Sequence, residues 1–248
     1  MKSFIDLFRR SRTFTPPDRR VYAIGDIHGR KDLLERLVPQ IADHAGARDY
    51  ELIFLGDYID RGPDSAGVVE YLLNAEALSG MDCTFLKGNH EATLIDFLDK
   101  PEIGPSWSSY GGLETLLSYG VKDIGLSRDE DAWRDISQRF NAHLPDTHRR
   151  FYNALDSYAV RGEYCFVHAG VNPEKPFSEQ TDADLLWIRD AFLDNRRQHD
   201  FMIVHGHTPE PEPHQDQRRI GLDTGAYQTG VLTAAAIDAD GVEFLSTR

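Results

Sequence analysis

Each early apolar run in this chain stops at a glycine followed by acidic, amide or imidazole residues. Val21 to Ile24 ends at Gly25, Leu52 to Leu55 at Gly56, and Cys83 to Leu86 just before Gly88. Between these runs, Leu33, Leu34, Leu37, Val38 and Ile41, and then Val68, Val69, Leu72 and Leu73, recur at helical spacing. A motif-to-motif period of about thirty residues is the size of a βα repeat. The N-terminal part therefore predicts β-α-β-α-β, with a Gly-rich motif leaving the carboxyl end of each strand. Open α/β sheets place their ligands along that edge.

Further strands are predicted at Tyr164 to Val167, Phe201 to Val204, Ile220 to Asp223, Val231 to Ile237 and Val242 to Leu245. The last two flank Asp238-Ala239-Asp240-Gly241 and read as a hairpin. Mixed strands with flanking helices predict an α/β sandwich. Residues 100–150 break the pattern. Pro101, Gly104, Pro105, Gly111 and Gly112 predict an irregular loop followed by short helices, with Trp107, Tyr110 and Tyr119 adding aromatics. Such an insertion suits a lid or substrate wall, or plain helical packing. No internal repeat or linker interrupts the chain. A single domain over 21–248 is expected, preceded by an arm at 1–20.

Composition narrows the partners. The 248 residues carry 41 acidic and 27 basic side chains, a net charge of -14. Such a chain repels nucleic acid and anionic membrane at long range, so no stable nucleic-acid partner is expected. An anionic substrate would need a local metal-rich or basic site. No apolar run approaches the ~20 residues of a membrane span. The N-terminal MKSFIDLFRRSRTF lacks the apolar core of a signal peptide. Its Phe4, Ile5, Leu7 and Phe8 suit a packed or frayed arm better than a lipid anchor. Cys83 and Cys165 sit in strand-like runs and read as buried free thiols. Nothing points to an oxidising compartment, so a cytoplasmic location is expected.

Five segments carry chemistry: GDIHG (25–29), GDYIDRG (56–62), GNHE (88–91), HAG (168–170) and GHT (206–208). An Asp-x-His, an Asp, an Asn-His and two further histidines at one sheet edge form a metal-ligand constellation. Mixed oxygen and imidazole donors suit manganese, iron or zinc better than calcium.

These blocks resemble the signatures of the phosphoprotein phosphatase family, within the calcineurin-like metallophosphoesterases, from Gly25 to about Ala226. The resemblance implies a sandwich of two mixed β-sheets flanked by helices and a pair of divalent metal ions, manganese foremost. Asp26 and His28 would hold the first metal, Asn89, His168 and His207 the second, and Asp57 would bridge them. His90 would protonate the leaving alkoxide, with Asp60 fixing its tautomer. Arg61, and Arg189 in Leu185-Leu186-Trp187-Ile188-Arg189-Asp190, would clamp phosphate oxygens. A metal-bridging hydroxide would attack phosphorus in line. HAG in place of HGG and the short tail resemble bacterial or phage-type serine/threonine phosphatases.

Other residues read more plainly. His205 is expected to be structural or supporting, not a ligand. Asp223 either supports a ligand or forms a turn. Glu91 suits the first turn of a helix. His44, His143, His148, His199 and His214 are expected at the surface. A phosphorylated protein or a small phosphoester is the expected substrate. The alternatives are a symmetrical bis(5'-nucleosyl)-tetraphosphate hydrolase, with the Trp107–Tyr119 segment stacking a base, and a non-catalytic metal- or phosphate-binding module.

Overall fold

The computed structural model describes residues 12–125 and 129–248. Phe4, Ile5, Leu7 and Phe8 of the arm lie outside them. The described residues form ten strands: β1 (Arg20–Ile24), β2 (Tyr50–Phe54), β3 (Cys83–Phe85), β4 (Tyr158–Arg161), β5 (Tyr164–Val167), β6 (Met202–His205), β7 (His214–Gln215), β8 (Arg219–Gly221), β9 (Thr233–Asp238) and β10 (Gly241–Ser246). They make two mixed five-stranded sheets, ordered β10-β9-β1-β2-β3 and β4-β5-β6-β8-β7. β1, β2 and β3 run parallel, with Tyr22 opposite Leu52 and Ile53 opposite Thr84. β5, β6 and β8 are parallel likewise. The hairpin β9–β10 adds to β1 in the antiparallel sense.

Alternation along the strands sets the layers, because successive side chains leave opposite faces. On β1 and β2, Tyr22, Ile24, Leu52 and Phe54 turn outward into a core shared with the helices. Val21, Ala23 and Ile53 turn inward, against Met202, Val204 and Ile220 of the other sheet. Ile203 and Cys165 face a third cluster beyond the second sheet. α1 (Lys31–Ala45) and α2 (Ser65–Asn74) are the crossovers of the first sheet. α1 buries Leu33, Leu34, Leu37, Val38 and Ile41, the residues whose spacing predicted it.

The segment at 100–150 takes the helical-packing alternative, with one helix longer than expected. After α3 (Asn89–Asp99), a 3₁₀ turn leads into α4 (Gly104–Trp107), a π-type turn at Ser108–Gly112 and α5 (Leu113–Ser118). α6 (Glu130–His143) and α7 (Asp146–Asn153) follow, so α6 runs 14 residues where short helices were expected. The glycines act as packing sites here, not as breakers. A Cβ on Gly104 would lie 2.1 Å from Trp133, and one on Gly112 2.4 Å from Trp107. Trp107, Trp133 and Phe140 belong to the main core. β4 and β7 escaped the sequence reading because one is a partly exposed strand and the other has two residues. Among the described residues, no helix is long and apolar enough to cross a membrane.

Candidate active site

The five motifs leave the carboxyl ends of β1, β2, β3, β5 and β6 and meet at one edge. Their loops hold unusual backbone. His28, Asp57, Asp60, Arg61 and His207 all take positive φ, between 45° and 70°. Outside glycine such values are uncommon and cluster at functional sites. Gly88 permits a close approach: a Cβ there would sit 2.1 Å from an Asp57 carboxylate oxygen.

Asp57 is the centre of the cluster. One carboxylate oxygen lies 3.5 Å from His28 Nε2 and the other 3.4 Å from His168 Nε2. Two groups of possible metal donors share it: His28, Asp57 and His90, and Asp57, His168 and His207, all buried. Burial alone would raise the Asp57 pKa, but the surrounding His168, His90, His28 and His207 more than offset it and hold it below the carboxylate range. The Asp26 carboxylate belongs to neither group. Its two oxygens accept the His207 amide N–H at 3.1 and 3.0 Å. Burial, then the charges of Asp223 and Asp57, push its pKa well up. Asn89 brings Oδ1 to 2.9 Å from His168 Nε2 and 2.8 Å from His207 Nδ1.

The donor set fits cations. His28 Nδ1 donates to the Ile59 carbonyl at 2.7 Å, and His168 Nδ1 to the Leu55 carbonyl at 2.9 Å. Burial lowers both pKa values, that of His28 to about 3, so both rings are neutral. Each therefore turns an unprotonated Nε2 towards Asp57, the tautomer a metal-binding imidazole needs. Around His168 Nε2 stand Asn89 Oδ1, an Asp57 oxygen and His207 Nδ1, the last at 3.2 Å. At most one proton, on His207, is available among these acceptors, and His207 Nε2 is buried with no partner. Lone pairs crowded this closely call for an electrophile among them.

Beside the first group, His90 Nδ1 lies 2.6 Å from Asp60 Oδ2. Burial acts to lower the His90 pKa, but Asp57 and Asp60 together raise it. Asp60 is fully buried, and its oxygens also accept Trp107 Nε1–H at 2.8 Å and the Thr115 hydroxyl. Arg61 donates to His28 Nε2 at 2.9 Å and stacks over Tyr227, 4.9 Å from the ring centroid. Arg189 donates weakly to the His207 carbonyl and to Thr208 Oγ1. Neither arginine forms an ion pair among the described residues. Both line a cavity of about 410 Å³ with Asn89, His90, Tyr110 and Trp187.

Several expectations change. Within the Trp107–Tyr119 segment, Trp107 and Tyr119 are themselves buried, Trp107 bonding Asp60 and Tyr119 bonding His148 and Tyr152, so of its aromatics only Tyr110 offers an open face at the cavity. The open aromatics at the cavity are Tyr110, 65% exposed, and Trp187, 51% exposed. His148 is buried too, against the surface reading. Cys83 is only partly buried, whereas Cys165 is buried as expected. His205 is held neutral, with Nδ1 donating to the Gly206 carbonyl and Nε2 accepting from Arg219. Glu91 does more than face a helix end. It accepts the backbone N–H groups of Asp57, Tyr58, Ile59 and Gly88, clamping the Asp57 loop onto α3. Its place in the GNHE block was the signal for this. Trp107, Thr115 and Tyr227 carried none, because their roles depend on chain brought from distant positions.

Two buried donor clusters joined by one carboxylate, beside a carboxylate-held imidazole, define a metal-dependent phosphoesterase. The chain belongs to the calcineurin-like phosphoesterase family, whose profile matches residues 19–234. It is 36% identical over 224 residues to serine/threonine-protein phosphatase 2 of Escherichia coli, covering 87% of this chain and 91% of that one. It is 26% identical over 232 residues to the asymmetrical bis(5'-nucleosyl)-tetraphosphatase PrpE of Bacillus subtilis, covering 85% and 87%. Its fold resembles the crystal structure of a candidate diadenosine tetraphosphatase, with a TM-score of 0.62 at 20% identity over 94% and 96% of the chains. It also resembles a Saccharomyces cerevisiae protein serine/threonine phosphatase, with a TM-score of 0.54 at 16% identity over 93% and 80%.

Proposed function

We propose that this chain is a phosphomonoesterase acting on phosphoserine and phosphothreonine in proteins, with residues 21–248 as one catalytic unit. Asp26, His28, Asp57, Asn89, His168 and His207 would hold two divalent cations, manganese first, with iron and zinc as alternatives. When bound, such cations supply Lewis acidity and positive charge at the phosphoryl group.

The observation that carries the substrate class is the pairing of His90 with Asp60 at 2.6 Å. A serine or threonine alkoxide is a strongly basic leaving group and needs a proton as it departs. A nucleotide leaving from a polyphosphate chain needs far less help. Asp60 holds the proton-bearing His90 ring in place, and Trp107 and Thr115 hold Asp60. Arg61 and Arg189, free of carboxylate partners, are the donors for the non-bridging phosphate oxygens. The resemblance to the Escherichia coli phosphatase agrees with this reading.

One observation favours a second reading. Exposed Tyr110 and Trp187 share the cavity with both arginines. Two open aromatic faces beside a phosphate site suit a nucleobase. That would suit a dinucleoside tetraphosphate, the substrate class named for PrpE. Rates on a phosphoserine peptide and on diadenosine tetraphosphate, measured side by side with added manganese, separate the two. Faster turnover of the dinucleotide overturns the first reading. Failure on both, with metal bound, leaves a binding module.

A further inference from the structure

A second polar cleft lies away from the metal edge. Its volume is about 820 Å³, and Arg196, Arg197, Arg218, Asp216 and three glutamines line it. The cleft sits at the amino ends of β6 and β8. Arg197 precedes β6, and Arg218 directly precedes β8. Both strands run parallel towards the metal edge, so β6, at about 3.3 Å per residue, separates the two sites by more than about 13 Å.

The wall is net positive in a protein of net charge -14. Its one acid is already engaged. Asp216 accepts Arg218 Nη2–H at 2.7 Å and the backbone N–H groups of Arg218 and Arg219 at 2.7 and 2.9 Å. The two other arginines lack a carboxylate. Arg197 donates only to the Pro173 carbonyl, at 3.2 Å, and Arg196 makes no side-chain hydrogen bond or ion pair among the described residues. Among the described residues, most arginines have a carboxylate partner. Arg36, Arg149 and Arg150 bond carbonyl or amide oxygens instead. Arg61 and Arg189, beside the cavity of the metal site, have no carboxylate either, and neither do Arg196 and Arg197. A guanidinium left without an acid beside a cavity is available to an external anion, and its planar fork matches phosphate oxygens. The glutamine amides add neutral donors.

We propose that this cleft binds a phosphate-bearing anion through Arg196, Arg197 and Arg218. The anion is either free inorganic phosphate or a phosphoryl group carried on a peptide.

The test is equilibrium binding of radiolabelled inorganic phosphate to the metal-loaded protein at low ionic strength. The Arg196→Gln/Arg197→Gln variant should bind one phosphate fewer per chain than the wild type. Its turnover of nitrophenyl phosphate should stay within about twofold, since neither residue lies at the metal edge. Arg218→Gln serves as an independent variant, expected to weaken the same site about tenfold, the loss of one charge-assisted contact. Equal stoichiometry in wild type and variants overturns the proposal, as does a turnover loss matching the binding loss. Because the count is a difference, a metal centre that binds no phosphate leaves the result readable. Competition by a non-hydrolysable phosphonate analogue of a phosphoserine peptide tells the sources apart. Displacement of the cleft label assigns a peptide-borne group, and retention assigns free phosphate.

Discussion

The two ends of β6 and β8 carry polar clusters of opposite character. At the carboxyl end of β6, His207 takes positive φ and meets His28, Asp57, Asp60 and Arg61, positive-φ residues of the loops after β1 and β2, and buried histidines face acceptors. At the amino ends, no residue from 196 to 198 or 215 to 218 takes positive φ. There Asp216 collects matched donors, which hold its pKa down to about 2 despite partial burial. One edge is arranged for a ligand and is strained without it. The other satisfies its acid, Asp216, and leaves donors such as Arg218 Nη1 without a partner. β6 reaches both clusters, so along that strand the difference lies in the loops at its two ends.

Removing the shared carboxylate should break this contrast most severely. Asp57→Asn should abolish turnover of every substrate and the uptake of paired manganese, read by metal analysis alongside rate. A variant that keeps both metals and activity would remove the bridge from the mechanism. His90→Asn should keep the metals. It should slow a phosphoserine peptide by about 10²–10⁴-fold but affect nitrophenyl phosphate far less, because nitrophenolate departs without a proton. Equal losses on the two substrates would refute the leaving-group role. Trp107→Phe removes the indole N–H from Asp60 and keeps most of the ring packing. A loss of about tenfold to a hundredfold on the peptide is expected, the usual scale for a residue that orients a catalytic group. Restricting that loss to poor leaving groups would show that the insertion steadies the acid rather than covering the site.

The layered fold was legible because β1 and β2 are short apolar runs punctuated by glycine and α1 carries a helical pattern. The donor residues were legible because each closes such a run. What the sequence hid was contact between distant segments. Asp60 and Thr115 meet only once α5 packs, and nothing local in either segment announces it. Gly104 and Gly112 read as breaks because a glycine that admits a tryptophan ring looks the same in sequence as one that ends a helix. Which aromatics of the Trp107–Tyr119 segment face the cavity was hidden for the same reason. Trp107 and Tyr110 are three residues apart, yet one is core and the other open.

Acid should separate the two edges by their pH ranges. Burial lowers the pKa of His28 and His205 to about 3 and of His207 to about 2, and lowers that of His168 as well. In the unfolded chain these imidazoles titrate near about 6.5. The metal-free protein therefore holds its full stability from this source above about 6.5 and loses it as pH falls towards 3, by about 1.4 kcal/mol per pH unit for each ring. Asp223, raised to about 6, Glu91, raised to about 8, and Asp26 and His90, also raised, act in the opposite sense. Their folded forms take up protons before the unfolded chain does, which offsets the rings until the unfolded carboxyls titrate, near about 4. Urea midpoints of chelator-treated protein should therefore fall most steeply below about pH 4.5, where the histidine loss is no longer offset. A flat response would mean that the rings are already charged in the fold.

The amino edge should respond later and less. Asp216 has a depressed pKa, so its contribution is present above the ordinary carboxylate range and disappears only as pH falls through about 2. Asp216→Asn should therefore lower stability by about 1 kcal/mol at neutral pH, the scale of a lost charge-assisted hydrogen bond. The penalty should shrink as the wild type is acidified towards pH 2. Metal content and turnover should be untouched, since the carboxylate serves Arg218, His214 and the turn before β8, away from the metal edge. A matching loss of manganese would show instead that the two edges are mechanically joined through β6 and β8.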